Sequence, residues 1–395
     1  MRNIMREYSE GSIWICVACV ISNIADYPAM VVTGWGRMFA IAFWILLMIS
    51  LIFKGIGSYS NTYFCTHLVL YALFFFNTAI TGIANDLNAF GNHFFRAVTI
   101  PTVVLIVAMR YGYDFNSKDL KRVCIWYYIT TSIMSFPLLL FYLRYSDLST
   151  SVYDYDYGKN EIAILLLFSL IIGTILYEPD NVFTKWFKYI SLLFIIVDIL
   201  YLRCRSSFLG VAFLFGTLSI YSNKMTQKHR IAVILGLLTV TVYFLANPDS
   251  FDTFLNQIVY AGRDGSNFSE VSSGRDADIK LGFELFSKAP FCGVGHAGTT
   301  IDCFFASAVA NYGLLAWPLI TMALLPVIWS CINLKNGKKE DLCFFIIAFS
   351  MFFVSLCEEQ APFGPGVRCY FLWLMWGILL QVNDRNRMVQ IVFKR

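Results

Sequence analysis

The amino-acid sequence predicts an all-α, polytopic integral membrane protein with about twelve transmembrane helices and one long outer loop containing a short amphipathic helix. Three observations predict it. Of the 395 residues, 58% are apolar and only 14% are charged, against about 45–50% and about 25% in soluble domains. A soluble chain of this size needs no such excess to fill its core, so the surplus calls for lipid as a second solvent. The apolar residues also fall into runs that match the ~20 helical residues needed to cross a bilayer core. Finally, lysine and arginine alternate unequally between successive loops. This composition excludes a disordered chain, a collagen-like repeat and a small disulfide scaffold. A formal charge of +4, scattered along the chain, also excludes a nucleic-acid binder.

In order, the runs predict spans near 13–32, 38–53, 63–83, 94–110, 122–143, 161–177, 184–202, 206–221, 230–246, 303–332, 341–357 and 368–382. The second, eighth and ninth are short. The tenth is long, and Pro318 and Pro326 predict a kink or tilt in it. Residues 1–395 thus form a single transmembrane domain. With the N-terminus inside, most basic residues lie in inner loops, which places both termini in the cytoplasm. The first span follows Glu7 and Glu10 without a small-residue cleavage site, as in an uncleaved anchor. The outer set is Arg37, Arg96, Arg144, Lys159, Arg203, Arg205, Arg263, Arg275, Lys280, Lys288 and Arg368. It is richer in arginine than the inner set, and arginine grips phosphate bidentately where lysine acts as a point charge. An arginine-rich outer face therefore suits an anionic substrate, although single arginines such as Arg37, Arg96 and Arg144 serve equally well as headgroup anchors. Of the eleven cysteines, Cys16, Cys19, Cys65, Cys124, Cys331 and Cys343 lie in apolar runs and read as packing residues. Cys292 and Cys303 can meet outside the membrane, but nothing in their spacing requires a disulfide. The nine tryptophans suit interfacial belts.

The one long extramembrane stretch, 247–302, lies between the ninth and tenth spans, and loops of that length are usually functional or disordered. Ser273 can cap a helix starting near Arg275, with Asp276 at the favourable end of its dipole. Ile279, Phe283 and Phe286 fall on one face, as in a helix lying on the membrane surface. Pro290 closes that helix, and Gly293, Gly295 and Gly298 predict a flexible turn. The loop is acidic on balance, so Arg263 and Arg275 are isolated positive points in it. A second feature is Arg203-Cys204-Arg205-Ser206-Ser207, where the eighth span starts from the outer side. Ser206 is a natural cap, and the free N–H groups of a helix start attract anions. Asp198, seven residues before Arg205, is placed to orient it from the same helix face. Two D-x-D spacings, Asp154-Tyr155-Asp156 and Asp276-Ala277-Asp278, lie outside and read as solvated acids, so no metal is predicted.

At these residues the chain resembles the O-antigen polymerase and O-antigen ligase superfamily of bacterial envelopes. The matching elements are Arg203-x-Arg205-Ser206-Ser207, Gly274-Arg275, Pro290-x-x-Gly293-x-Gly295, Ile301-Asp302 and Asn311-Tyr312-Gly313-Leu314, with Arg263 preceding Gly274 by ten intervening residues. Loop position and hydropathy match over nearly the whole chain, and the motifs cover about 203–315. Ligases of this family typically carry a histidine near the loop's end; here His296 sits in the glycine turn and Ile301-Asp302-Cys303 stands at that place, a departure that favours polymerase. The resemblance implies a metal-independent glycosyltransferase of the inner membrane, active at its periplasmic face. It would move a growing glycan from undecaprenyl diphosphate to a sugar hydroxyl of an incoming lipid-linked unit. No cofactor is implied, and the absence of a G-x-x-x-x-G-K-[ST] phosphate loop is consistent with that. Arg203, Arg205, Arg263 and Arg275 are the candidates for holding the diphosphate. His296 and Asp302, with Glu270 behind them, are the candidate bases, and Gly274, Gly293 and Gly295 shape the loop. Expected partners are undecaprenyl-diphosphate-linked oligosaccharides, membrane lipid and a chain-length regulator protein, without nucleic acid. The alternatives are an O-antigen ligase, transferring to lipid A core, and a transporter or flippase of the same lipid-linked glycans; no internal repeat supports the latter.

Overall fold

The described apolar runs fold into helix because a helix satisfies its own backbone hydrogen bonds where no water can. The computed structural model describes residues 9–54, 61–86, 93–143, 159–221, 242–243, 245–256, 274–295, 301–364 and 368–393. Its helices, in chain order, are α1 (Glu10–Ala25), α2 (Pro28–Thr33), α3 (Trp35–Lys54), α4 (Thr62–Ala84), α5 (His93–Gly112), α6 (Ser117–Leu143), α7 (Lys159–Ile175) and α8 (Val182–Leu202). They continue with α9 (Arg205–Ile220), α10 (Pro248–Phe254), α11 (Arg275–Lys288), α12 (Phe304–Tyr312), α13 (Trp317–Asn333), α14 (Lys339–Ser355) and α15 (Tyr370–Phe393). The fold is all-helical among the described residues. Of these, five stretches are long and apolar enough to cross a membrane: Trp35–Phe53, Thr62–Ala84, Phe94–Gly112, Ser117–Leu140 and Phe304–Asn336. The expected ninth span, 230–246, lies almost wholly outside the described residues.

On α3, Phe39, Leu46, Ile49 and Phe53 form an exposed stripe at helical spacing, and Ala40, Trp44, Leu47 and Leu51 form the buried one. Phe53 is 86% exposed, and a continuous apolar face of this kind suits lipid rather than water. Two helices are enclosed instead. Residues 162–173 of α7 are buried without interruption, as are 370–380 of α15. Small residues let the backbones approach: a Cβ on Gly377 would stand 2.6 Å from the Ala108 Cβ, and one on Gly112 would stand 3.2 Å from the Ile378 Cα. Around this core α15 packs along α5, α1 along α6, α8 between α6 and α7, and α9 along α14. The tryptophans divide accordingly. Trp35 and Trp186 are exposed near helix starts, whereas Trp44, Trp329, Trp373 and Trp376 are core residues, so the belt reading holds for only part of the set.

Polar contacts fix the direction of the helices. At one end, Glu178, between α7 and α8, receives Lys121 of α6 at 2.6 Å and also Lys339 at the start of α14. Lys338 reaches Asn383 of α15 at 3.0 Å, Asn61 at the head of α4 bonds Asp384, and the Ser9 N–H donates to Asp119 at 3.2 Å. Both described chain ends therefore lie at this lysine-rich end. At the other end, Arg37 in the first turn of α3 pairs with Asp26 at 3.7 Å and with Glu161 of α7 at 3.4 Å.

Two spans differ from the sequence expectation. The first, 13–32, stops at Ala25, because Pro28 cannot continue the helix and holds Tyr27 in extended geometry; Pro28 instead opens α2. The tenth, 303–332, breaks not at a proline but at Gly313, whose φ of +57° begins a short 3-10 turn. A Cβ there would lie 2.5 Å from the Pro290 carbonyl oxygen. Pro318 falls in the first turn of α13, where its missing N–H costs nothing.

Lys121 and Lys339, hydrogen-bonded to the Glu178 carboxyl, hold its pKa down at about 2. A depressed carboxyl stabilises the fold above its unfolded value, and the contribution fades as pH falls from about 4.5 toward about 2. Glu178→Gln is therefore expected to lower the melting temperature in detergent slightly at pH 7, by about 1–3 °C for so exposed a group. The gap should shrink below pH 3, and a gap independent of pH would contradict this account.

Candidate functional site

The site is built at the arginine-bearing end of the bundle. Helix α11 spans Arg275–Lys288, in agreement with the sequence reading, but its cap is Gly274 in a left-handed conformation (φ +79°) with no side-chain capping bond; Ser273 lies outside the described residues. The face carrying Leu281, Gly282 and Leu285 packs on α12. A Gly282 Cβ would stand 2.9 Å from Ala306, and Ile301, Cys303 and Ala310 complete the contact. Ile279 and Phe283 face outward, which fits a helix at a membrane surface. Asp278 braces the start of the next helix, because its Oδ2 accepts the Asp302 N–H at 3.1 Å and so fixes the approach to α12.

The turn after α11 is not flexible. The Val294 and Gly295 N–H groups donate to the carbonyls of Ala310 (2.9 Å) and Asn311 (3.1 Å), and the Leu314 N–H donates to Pro290 (2.8 Å). From α4, Thr81 donates to the Cys292 carbonyl at 3.0 Å and Asn85 to the Gly293 carbonyl at 3.2 Å. Gly293, at φ +68°, leaves its missing Cβ only 2.3 Å from the Asn311 backbone. These glycines therefore allow a close approach of backbones, and bonding on both sides removes the freedom that glycine would otherwise confer. Gly298 lies outside the described residues. Cys292 and Cys303 are both free thiols.

The three residues 357–359, following α14, form the hub. The Cys357 carbonyl accepts from Arg275 Nε at 3.0 Å. Glu358 is 3.2 Å from Arg368 Nη2 and accepts from Asn160 of α7 at 2.7 Å. Glu359 accepts from Ser307 of α12 at 2.8 Å, and Asn311 donates to that same hydroxyl at 3.1 Å. Arg368 also lies 3.9 Å from Glu161, which links this hub to Arg37 and Asp26. Burial pushes the Cys357 thiol up, opposed by Arg275 and assisted by Glu358, Cys204 and Cys303. Partial withdrawal from water raises the Asp302 carboxyl above the usual range; Arg275 opposes the rise, and Glu358, Asp278 and Glu359 add to it.

Helix α9 packs along α14, and Cys204, between Arg203 and Arg205, comes near enough to Cys357 to act on its thiol. Arg203 is buried, ends α8 in a left-handed conformation (φ +49°), and reverses the chain. That reversal corrects two expectations. The cap of α9 is Cys204, and Ser206 is already inside the helix with its hydroxyl 3.2 Å from the Cys204 sulfur. Asp198 does not orient Arg205: its carboxylate oxygens are buried without a hydrogen-bond partner among the described residues. The seven-residue spacing presumed one continuous helix, which the reversal interrupts.

Of the predicted site residues, Arg275 and Asp302 thus gather around the hub, Arg203 and Arg205 flank Cys204, which acts on Cys357, and Gly274, Gly293 and Gly295 shape the approach. Arg263, His296 and Glu270 lie outside the described residues. Among the described residues, no three histidine, cysteine or acidic side chains converge on a possible metal position. Sequence reasoning missed Glu358, Glu359, Ser307, Asn160 and Glu161. The available signal was a pair of adjacent acids directly after an apolar span, ten residues before Arg368.

Gly293→Ala is expected to cost about 2–5 kcal/mol, from left-handed strain plus backbone overpacking. Gly274→Ala, whose Cβ meets open space, should cost only the strain, about 1–2 kcal/mol. Thermal melting in detergent separates them, and equal losses would show that the close approach at Gly293 does not matter. No family model matches the chain, and no curated protein is significantly similar to it.

Proposed function

We propose that the protein is a metal-independent glycosyltransferase that polymerises lipid-linked O-antigen repeat units. In this reading it crosses the bacterial inner membrane about twelve times, with both termini cytoplasmic and the arginine-bearing end periplasmic. The observation that carries the reading is the convergence of Arg275 and the Arg203-Cys204-Arg205 reversal on the turn at 357–359, at the bundle end opposite the lysines. Guanidinium groups fixed in place before substrate arrives stabilise charge that develops on a departing diphosphate.

The transfer requires little else. A sugar hydroxyl of the incoming unit attacks the anomeric carbon of the donor glycan. The bond from that carbon to the diphosphate oxygen breaks, and undecaprenyl diphosphate leaves with the electron pair. The hydroxyl proton passes to a base. Asp302 is suited to that role, because its raised proton affinity brings it nearer the working pH of a general base. Since the donor already carries its leaving group, no nucleotide is consumed.

Arg275→Ala and Arg205→Ala should each reduce polymerisation by about 10²–10³-fold, the range seen when one fixed donor to a developing anion is lost. The surface lipid would then carry single repeat units in place of long chains. Lysine at either position should rescue only in part, because the bidentate fork is lost. Normal chain lengths in both alanine variants would refute the reading. Loss of all attachment to lipid A core would instead indicate a ligase, and accumulation of lipid-linked units on the inner leaflet would indicate a flippase.

A further inference from the structure

Arg368 has no part in the chemistry just described, yet it is among the most buried charges at this end of the bundle. Its side chain is 4% exposed, and the two carboxylates beside it, Glu161 and Glu358, are 14% and 15% exposed. A guanidinium withdrawn this far from solvent is costly unless its partners are held in place. Glu358 is held twice, by Arg368 Nη2 at 3.2 Å and by the Asn160 amide at 2.7 Å. Its two chain neighbours make the contacts that matter for the arginine site: Cys357 offers its carbonyl to Arg275 Nε, and Glu359 takes the Ser307 hydroxyl. Rotating Glu358 out of place would therefore move the acceptor that fixes Arg275.

We infer that Arg368 is a positioning residue: through Glu358 it sets the turn at 357–359, and through the Cys357 carbonyl it sets the plane of the Arg275 guanidinium. The inference rests on the functional reading above for its consequence, but not for its geometry. The other arm of the same ion network, Arg37 with Asp26 and Glu161, does not touch the turn and serves as the control.

The test uses the full-length protein in nanodiscs, with N-ethylmaleimide as the probe and mass spectrometry reading each cysteine separately. In Arg368→Gln, Cys357 should be alkylated at least about fivefold faster relative to Cys292, whose carbonyl is held by Thr81 of α4. Arg37→Gln should lower the melting temperature without changing that ratio. Arg368→Lys, which retains a charge near Glu358 but loses the fork that spans both carboxylates, should fall between wild type and Arg368→Gln. In reconstituted transfer from a lipid-linked repeat unit, Arg368→Gln should lower kcat about tenfold with little change in KM, because what is lost is orientation in the transition state. If Arg368→Gln does not fold, Glu358→Gln leaves Arg368 paired with Glu161 and should give the same Cys357 ratio. Equal Cys357 ratios in the Arg368 or Glu358 variant and the Arg37 variant would overturn the inference and leave the network purely structural. If the labelling result holds but Arg275→Ala retains normal chain length, the positioning stands and the glycosyltransferase reading falls.

Discussion

A charge that has left water must be neutralised within hydrogen-bonding distance, and at the arginine-bearing end of this bundle that requirement organises much else. Asp26, Arg37, Glu161, Arg368 and Glu358 form a chain of alternating sign that joins the end of α1, the start of α3, the start of α7, the approach to α15 and the exit from α14. The three regions they come from, 26–37, 161 and 358–368, are far apart in sequence. Apolar packing alone would let helices slide and rotate against one another, since lipid competes on nearly equal terms with side chains for apolar contact. Ion pairs with fixed geometry do not permit that freedom, so the network specifies the register in which the helix ends meet.

The register in turn decides where the functional side chains can lie. Glu358 is tied to the network, Cys357 and Glu359 are carried with it, and α11 and α12 dock onto that pair of residues through Arg275 and Ser307. From the far side, α4 contributes Asn77 and Thr81 and its cap contributes Asn85, whose side chains bond the carbonyls of Leu315, Cys292 and Gly293. The 247–302 loop thus has its two described edges anchored, one through Arg275 and Ser307 and one by amides and a hydroxyl. An amphipathic helix held at both ends in this way needs little ordering when substrate binds, which is the physical content of preorganisation.

The five membrane-length helices were legible because their signal is local: length and apolar content suffice to predict a helix in lipid. The bounds of α11 were legible for a similar reason, since Arg275, Asp276 and Pro290 each act on their own segment. What stayed hidden depended on distant neighbours. Gly313 breaks the tenth span because the Pro290 carbonyl occupies the space of its missing Cβ, a contact that no pattern within 303–332 reveals. Asp198 and Arg205 matched a helical spacing, but Arg203 turns the chain between them. The adjacent acids at 358 and 359 carry little signal within their own segment, and their importance lies in what α7, α12 and the segment before α15 bring to them.

The charge balance of the hub looks unfavourable at first. Arg275 is proposed to hold a diphosphate, yet Asp278, Asp302, Glu358 and Glu359 all act on the same small region, and like charges repel. The repulsion is limited because each of the surrounding acids already has a partner. Glu358 faces Arg368, Glu359 accepts the Ser307 hydroxyl, and Asp278 accepts the Asp302 N–H. Partial withdrawal from water, opposed by Arg275 and assisted by the same acids, raises the proton affinity of the Asp302 carboxyl. The acids then act on the site in two ways. They hold the arginine and the turn in position, and they leave one carboxyl with a raised affinity for a proton. A purely basic site would bind a diphosphate more tightly but would release it more slowly after transfer. A site whose positive charge is offset by acids of fixed geometry gives up part of that ground-state affinity, and donors aimed at the charge that develops during transfer keep their advantage in the transition state.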